Sequence, residues 1–568
     1  MGTRGMNIVV VMADQMTPAA LPFHGHRATR APNLEALARD GVVFEAAYSN
    51  SPLCSPARAV FMTGQLSSRT GVYDNAAEFR SDIPTFAHYL RRAGYRTQLA
   101  GKMHFCGPDQ LHGFEERLTT DIYPADFGWT PDWDQPHQRP SWYHNMSSVT
   151  DAGLCVRTNQ MDFDDEVIFA AERAIYDHVR GSDGRPLCLV ASFTHPHDPY
   201  AVPARYWDLY CDDEIDLPRV PLDRAAMTPH EQRLWQVCDM GNAEVTPAHV
   251  RAARRAYLGA VAYIDDNVGR IRAALAATGL ADDTVILVTS DHGEMLGERG
   301  LWYKMNYFEG GARVPLVVHA PGRFQPRRVG EAVSLVDILP TLTDIATDGK
   351  GLAPVSPIDG RSLLPHLGGT GGHDEVLGDY LAEGAVAPIV MIRRGTLKFV
   401  HSLADPDQLY DLATDLDERH NLAADPGRTT LVAELRREVA QRWDLPGLDQ
   451  AVRDSQRRRH MVVDALGIGT AAPWDFNPPR DASRQYIRNH MDLDDLEARG
   501  GLKSQGAAVP MPKASTTMWR RRWLSRTAWS SPGRSQRCAT SRRSSATSVV
   551  RPGSAARLWR SSRSVARS

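Results

Sequence analysis

NIVVVMAD, residues 7–14, decides the fold. Its middle is unbroken apolar sequence, without the polar alternation of a half-exposed strand. It therefore predicts a strand buried on both faces, as in a parallel sheet covered by helices. The stretch ends in an acid, Asp14. It is far shorter than the roughly 20 apolar residues that cross a bilayer, and MGTRGMNIVVVMADQ shows no leader cleavage pattern. It reads as a core strand, and the chain as a cytoplasmic protein with no membrane partner.

The same pattern spreads outward. PNLEALARDG (32–41) has Pro at a helix start and Gly at its end. VVFEAAYS (42–49) predicts a strand, TFAHYLRRAG (85–94) a helix, and LCLVASFTH (187–195) and TVILVTSD (284–291) two more buried strands. A long amphipathic helix is expected over about 248–279. Strands alternating with helices predict an α/β fold with a mainly parallel sheet sandwiched by helices. The polar residues Asp14, His195, His197, Asp291 and His292 recur just after strand C-termini, the edge where open α/β sheets bind ligands.

After about residue 370 the pattern changes. VLGDYLAEG, PIVMIRRGTLKFVHS and QLYDLATD predict short antiparallel strands, followed by a helix at 427–444 and a polar segment at 446–490 that wraps the surface. The expected organisation is a catalytic α/β domain (1–370), then a smaller α+β subdomain and wrapping segment that complete the substrate pocket (371–498). A basic tail (499–568) follows. A chain of 568 residues exceeds one ordinary core, so more than one packed unit is expected.

Charge divides along the chain. The last 70 residues hold 16 Lys and Arg and no Asp or Glu, leaving about −19 on the preceding 498, although the net charge is only −3. A tail of Arg, Ser, Ala, Pro and Gly buries no core and reads as disordered. Its composition is also that of an out-of-frame reading of GC-rich DNA. A nucleic-acid arm is the other meaning of such charge, but no nucleic-acid partner is expected. The cysteines (Cys54, Cys106, Cys155, Cys188, Cys211, Cys238 and Cys538) show neither CxxC pairs nor a disulfide framework. They predict reduced thiols and no structural zinc.

The chemistry gathers in five short segments. Cys54-Ser55-Pro56-Ala57-Arg58 precedes a helix-forming run and Thr63-Gly64. Asp14-Gln15 ends the first strand, and Gly101-Lys102-x-His104 follows a later one. Pro196-His197-x-Pro199 comes next, then Ser290-Asp291-His292-Gly293 with Lys304 and the run Phe308–Pro315. In chain order they resemble the motifs of the sulfatase family, a branch of the alkaline phosphatase superfamily, and the resemblance runs over about residues 6–498.

The resemblance implies that a separate formylglycine-generating enzyme oxidises Cys54 to formylglycine. It implies a metal site of Asp14, Gln15, Asp291, His292 and the formylglycine oxygen from Cys54. Hard oxygen donors suit Ca2+ or Mg2+, while His292 admits Mn2+. Many sulfatases have Asp or Asn where this chain has Gln15 and His292; here it resembles the phosphonate and phosphodiester hydrolases. By the same resemblance Arg58 holds the formylglycine hydroxyl, and Lys102 and Lys304 clamp sulfate oxygens. His104 is the base that breaks the hemiacetal, and His197 the acid at the leaving oxygen. The set makes chemical sense, because a sulfate ester needs a strong nucleophile and positive charge around its oxygens.

Longer blocks resemble the choline-sulfatase branch of that family: SPLCSPAR, YDNAAEF (73–79), residues 101–133, SFTHPHDPY (192–200), residues 380–395 and RNHMDLDDLE (488–497). Choline-O-sulfate carries a quaternary ammonium that donates no hydrogen bond, so aromatic faces and carboxylates must hold it. Residues 123–143 are rich in aromatics (Tyr123, Phe127, Trp129, Trp133, Trp142, Tyr143), with Trp129 foremost as a cage residue. Glu383 and Asp492 supply the expected negative charge, and Asn75 a sulfate contact. A homo-oligomer is expected. The competing expectations are an arylsulfatase, a promiscuous phosphonate monoester/phosphodiester hydrolase, and a choline- or sulfate-binding protein in which Cys54 is never converted.

Overall fold

The computed structural model describes residues 5–351 and 353–469. Asp492, Cys538, the predicted tail and the part of the wrapping segment beyond residue 469 lie outside the described residues. In chain order the strands are β1 (Asn7–Asp14), β2 (Val42–Tyr48), β3 (Arg96–Gly101), β4 (Glu116–Arg117), β5 (Gly153–Leu154), β6 (Leu187–Pro196) and β7 (Ala201–Val202). They continue as β8 (Thr284–Ser290), β9 (Arg313–His319), β10 (Arg327–Ser334), β11 (Glu375–Tyr380), β12 (Ile389–Arg394), β13 (Leu397–Ser402) and β14 (Gln408–Asp411).

The main sheet runs β10-β2-β9-β8-β1-β6-β3-β4, with β1 near its centre. β1 pairs in parallel with β6 and β8, and every residue of it is buried. Successive side chains of a strand face opposite sides. Val9, Val11 and Ala13 accordingly join one core with Leu34, Leu37, Ile168, Val261 and Ile264. Ile8, Val10 and Met12 join the other with Phe61, Phe86, Leu339 and Leu342. The helices Pro32–Asp40, Asn159–Arg180 and Pro247–Ala277 cover the first face, and Cys54–Thr63, Phe86–Arg92 and Ile338–Ala346 the second. This is the helix-covered, mainly parallel sheet that the apolar runs predict.

One strand departs from the parallel rule. β9 pairs antiparallel with both β8 and β2. Because β9 starts at the edge where β8 ends, the connection 291–312 never crosses the sheet. It stays on the C-terminal edge and holds Lys304 there.

The second sheet is the antiparallel meander β11-β12-β13-β14. PIVMIRRGTLKFVHS is a hairpin of two strands, β12 and β13, turning at Gly395 with φ +56°. Helices Thr429–Arg442 and Leu445–Leu466 follow. The second falls in the polar segment expected to wrap the surface from 446, where no element was predicted. Its buried stripe is Leu445, Leu448, Val452, Gln456 and Arg459, and the last two polar members hide its amphipathic period. No helix among the described residues is long and apolar enough to cross a membrane.

Candidate active site

Four strands of the main sheet deliver the chemistry to one edge. β1 ends in Asp14, β3 leads into Lys102, β6 carries His195 and ends at Pro196 just before His197, and β8 leads into Asp291 and His292. Two glycines make the approach possible. At Gly101, φ is +104° and a Cβ would lie 1.9 Å from the Ser192 carbonyl oxygen; at Gly293 it would lie 2.0 Å from that of Gly310. Only glycine fits either place, which explains both motif glycines. Positive φ at the non-glycine residues Gln15, His104, Tyr303 and Met305 concentrates backbone strain around the same edge.

Cys54 opens the Cys54–Thr63 helix, where backbone N–H groups favour negative charge. Its Sγ lies 3.2 Å from His292 Nε2, 3.6 Å from Lys102 Nζ and 3.9 Å from Asp14 Oδ1. Burial alone would push the thiol up. Lys102, Lys304 and His292 reverse this and hold it well below its ordinary value. The same field would favour any anionic atom at the position of this Sγ.

Arg58, one turn on, is fully buried. It donates from Nη2 to Asp14 Oδ2 at 2.8 Å, from Nε to Asp291 Oδ2 at 2.9 Å and from Nη1 to Ser192 Oγ at 2.8 Å and the Lys102 carbonyl at 2.5 Å. Two adjacent buried carboxylates are tolerable only beside such a cation. Lys102 Nζ pairs with Asp14 and sits 4.0 Å from the Tyr123 ring centroid. Burial and Cys54 push the Asp14 carboxyl up, but Lys102, His197 and Arg58 hold it well below the usual range.

The donor atoms of Asp14, Cys54, Asp291 and His292 all lie within 4.8 Å of one another, and all four residues are buried. His292 Nδ1 faces the Gly293 carbonyl oxygen at 3.1 Å, so Nε2 turns inward. Two carboxylates and an inward imidazole nitrogen, in a buried site walled by cations, fit a small divalent cation. The Gln15 amide lies beside this group: Lys304 Nζ donates to its Oε1 at 2.5 Å, and its Nε2 donates to Glu294 Oε2 at 2.5 Å.

His197 Nε2 lies 2.9 Å from Lys304 Nζ and its Nδ1 3.0 Å from Asp198 Oδ1. Burial and Lys304 push the imidazole down, Asp198 and Asp14 push it up, and the balance is raised to about 9. His104 has φ +53°, and its buried ring lies close enough to Cys54 to help hold that thiol down. The ring packs edge-on against Trp129 at 5.7 Å. Asn75 Oδ1 accepts from Ser55 N at 3.0 Å in the first turn of the Cys54 helix.

Above these groups opens a cleft of about 230 Å³ lined by Cys54, Asn75, Tyr123, Trp129, His197 and Lys304. Trp129 and Trp142 stack with centroids 6.0 Å apart and planes 12° off parallel. Glu383 is 2% exposed and both carboxylate oxygens lack a partner among the described residues. Burial, then Asp74, pushes it up to about 8, and it feels Lys304 and Cys54. Trp133 is instead spent on packing: it is buried and donates from Nε1 to the Ala382 carbonyl.

The structure thus brings together Asp14, Gln15, Cys54, Arg58, Lys102, His104, His197, Asp291, His292 and Lys304, with Asn75 and Trp129 on the cleft above and Glu383 within electrostatic reach. It adds residues that sequence reasoning passed over. Asp198 occupies the variable place between His197 and Pro199, and Glu294 directly follows the Asp291-His292-Gly293 segment. His144 stacks on Tyr303 at 4.2 Å and lines the same cleft. Arg459 reaches Asp74 from the Leu445–Leu466 helix with two 2.7 Å bonds; nothing in the sequence pointed to it.

The sulfatase family model matches residues 6–348. The model for the choline sulfatase C-terminal region matches residues 450–500, and that for the N-sulphoglucosamine sulphohydrolase C-terminal region matches 297–444. The chain is 51% identical over 509 residues to a choline-sulfatase of Rhizobium meliloti, covering 88% of this chain and 98% of that one. It is 27% identical to an arylsulfatase of Clostridium perfringens, covering 76% and 94%. Among solved structures it is similar to a phosphonate monoester hydrolase of Agrobacterium radiobacter, with TM-score 0.62 and 26% identity over 77% of this chain and 95% of that one. A sulfatase-like protein of Bacteroides thetaiotaomicron shares the fold, with TM-score 0.60 and 22% identity over 77% and 92%. A sheet of this order, edged by a buried nucleophile position, paired acids and lysines, defines a hydrolase of anionic esters on the alkaline-phosphatase plan. The chain belongs to the sulfatase family and is a sulfuric ester hydrolase.

Proposed function

We propose that the chain hydrolyses choline-O-sulfate to choline and inorganic sulfate. One observation carries the substrate: the stacked Trp129 and Trp142 rise above the Cys54 pocket, and a buried, partnerless Glu383 lies within its electrostatic reach. Aromatic faces and an uncompensated carboxylate suit a cation that can be held only electrostatically. The 51% identity to a choline-sulfatase over 98% of its length supports the same reading.

In this reading Cys54 is converted to formylglycine by a separate enzyme, which supplies a hydrated aldehyde with two hydroxyls on one carbon. Asp14, Gln15, Asp291 and His292 would hold Ca2+, with Mg2+ or Mn2+ as alternatives, and the ion would supply Lewis acidity beside the sulfate. Lys102 and Lys304 hold sulfate oxygens as point charges. Arg58 fixes the two carboxylates that frame the nucleophile. His197, kept protonated by Asp198, gives its proton to the departing choline oxygen. His104 takes a proton from the second hydroxyl as sulfate leaves by C–O cleavage. The second sheet completes the pocket through Glu383, Asp492 lies outside the described residues, and the protein works as a cytoplasmic homo-oligomer.

Mass spectrometry of the Cys54 peptide, with sulfate release from choline sulfate and from an uncharged aryl sulfate, tests this. The expected result is converted Cys54 and, in Trp129→Ala, a loss of roughly one to two orders of magnitude in kcat/KM on choline sulfate and much less on the aryl ester. Full turnover by an unconverted thiol would remove the mechanism, and equal losses on both esters would remove choline. Gln15 and His292, with the likeness to a phosphonate monoester hydrolase, favour a second reading, which a phosphodiester in the same assay separates.

A further inference from the structure

Glu294 has no part in the chemistry above, yet it is 1% exposed and placed against the site. Its Oε1 accepts from the backbone N–H of Leu296 at 2.9 Å and of Tyr303 at 2.7 Å. Its Oε2 accepts from Gln15 Nε2 at 2.5 Å. On the other side of the same amide, Lys304 Nζ donates to Gln15 Oε1 at 2.5 Å. The Gln15 amide is therefore held between a group that only accepts and a group that only donates.

A primary amide has two ends of nearly equal size and opposite polarity. A half turn about its last bond exchanges them at little steric cost, so neighbours alone decide which end points where. The rest of Gln15 is pinned. Its backbone N–H donates to Asp291 Oδ1 at 3.1 Å, and its carbonyl accepts from Tyr257 Oη at 2.6 Å. With the oxygen toward Lys304 and the nitrogen toward Glu294, both neighbours are satisfied. Turned the other way, an NH2 would face a buried ammonium and the Glu294 carboxylate would face a carbonyl oxygen, two mismatches among side chains that are almost fully buried.

We infer that Glu294 is a positioning residue whose carboxylate fixes the Gln15 amide with its oxygen facing Lys304. A carboxylate at position 15 would have no wrong end to present. A glutamine does, and Glu294 removes the ambiguity. The consequence for cation binding rests on the metal-site reading above; the orientation of the amide does not.

The test is an exchange of amide and carboxylate between the two positions. In Glu294→Gln the Leu296 and Tyr303 N–H groups still demand an acceptor. The new amide must therefore keep its oxygen there and turn its NH2 to Gln15, which is driven to flip. Calorimetric titration of the purified protein with Ca2+ or Mn2+ should show affinity lowered about 10–100-fold. The metal-free protein should melt about 2–4 °C lower, because Lys304 has lost its acceptor. The double variant Gln15→Glu/Glu294→Gln restores every donor–acceptor pair. It should return to about threefold of the original affinity and about 1 °C of the original midpoint. Failure of Glu294→Gln to fold, with a folded double variant, would give the same answer.

A Glu294→Gln protein that binds and melts like the original, or a double variant no better than Glu294→Gln alone, would overturn the inference. If the unmutated protein binds no cation that depends on Asp14, the metal-site reading fails. The melting series still decides the role of Glu294.

Discussion

At His197 four influences compete, and the outcome has a measurable sign. Burial and Lys304 favour the neutral ring, Asp198 and Asp14 the charged one, and the result is about 9 against an ordinary 6.5. A group raised in the folded state adds stability in full below pH 6.5 and loses it as pH rises through about 9. In the proposed mechanism the same proton serves the leaving choline oxygen, so turnover of choline sulfate should fall off on the alkaline side near pH 9. Asp198→Asn keeps the shape and removes the charge. Its alkaline limb should move at least about one pH unit lower in kcat profiles, with little change on aryl sulfates, whose leaving groups need no acid. An unmoved limb would detach His197 from proton delivery. Cys54, Arg58, Lys102 and Lys304 were legible because their motifs fix spacing along the chain. Asp198 and Glu294 were not, because a hydrogen-bond partner is chosen by how strands and loops meet, which local sequence does not encode.

The Leu445–Leu466 helix reaches into the pocket wall from far along the chain. Arg459 holds buried Asp74, beside Asn75, and donates to Thr130 Oγ1, beside Trp129, at 3.0 Å. Gln456 accepts from Trp133 N at 2.9 Å, and His460 faces the Pro131 carbonyl at 3.1 Å. One helix thus fixes both the sulfate-side and the aromatic segments. Arg459→Met leaves the Asp74 charge buried and unpaired, a loss of about 3–5 kcal/mol in thermal unfolding. It should raise KM for choline sulfate about tenfold or more while kcat on aryl sulfates changes little; Arg459→Lys, which cannot make the paired bonds, should fall between. Equal effects on both substrates would make the helix a general support. This element escaped the sequence because polar Gln456 and Arg459 complete its buried stripe. β1, β6 and β8 did not escape, since an unbroken apolar run has no other reading at that length.

The two sheets share one apolar core, to which Val9 and Val11 of β1 and Ile392 and Phe399 of the second sheet all belong, and buried charge ties them as well. Lys398 on β13 is fully buried and donates to Glu309 Oε1 at 2.8 Å and the Tyr307 carbonyl at 2.7 Å, and pairs with Glu418 Oε1 at 2.6 Å. Asn50, just after β2, donates to the Leu377 carbonyl of β11 at 2.7 Å. Glu309 and Tyr307 lie a few residues beyond Lys304, so the second sheet braces the segment that carries that lysine. Lys398→Met should cost about 3–5 kcal/mol, because two carboxylates lose their cation. Melting with and without bound divalent ion should show the loss in both states; a midpoint unchanged in either would make the tie ornamental. The mainly parallel sheet and the later antiparallel one were both readable from hydrophobic period. Their joint was not, since Lys398 alternates in a strand like any surface lysine.

Every residue of the Cys54–Thr63 helix is buried, and Cys54 itself is 2% exposed at the floor of the cleft. The conversion proposed for Cys54 requires a second protein to grip the Cys54–Arg58 pentapeptide, and the finished fold leaves nothing of it to grip. Maturation and folding are therefore competitors in time. A chain that closes its sheet first keeps its thiol for life, whatever converting enzyme it later meets. The fraction of active molecules in a preparation is then a record of how quickly each chain was intercepted during synthesis, and no later treatment of the native protein will raise it.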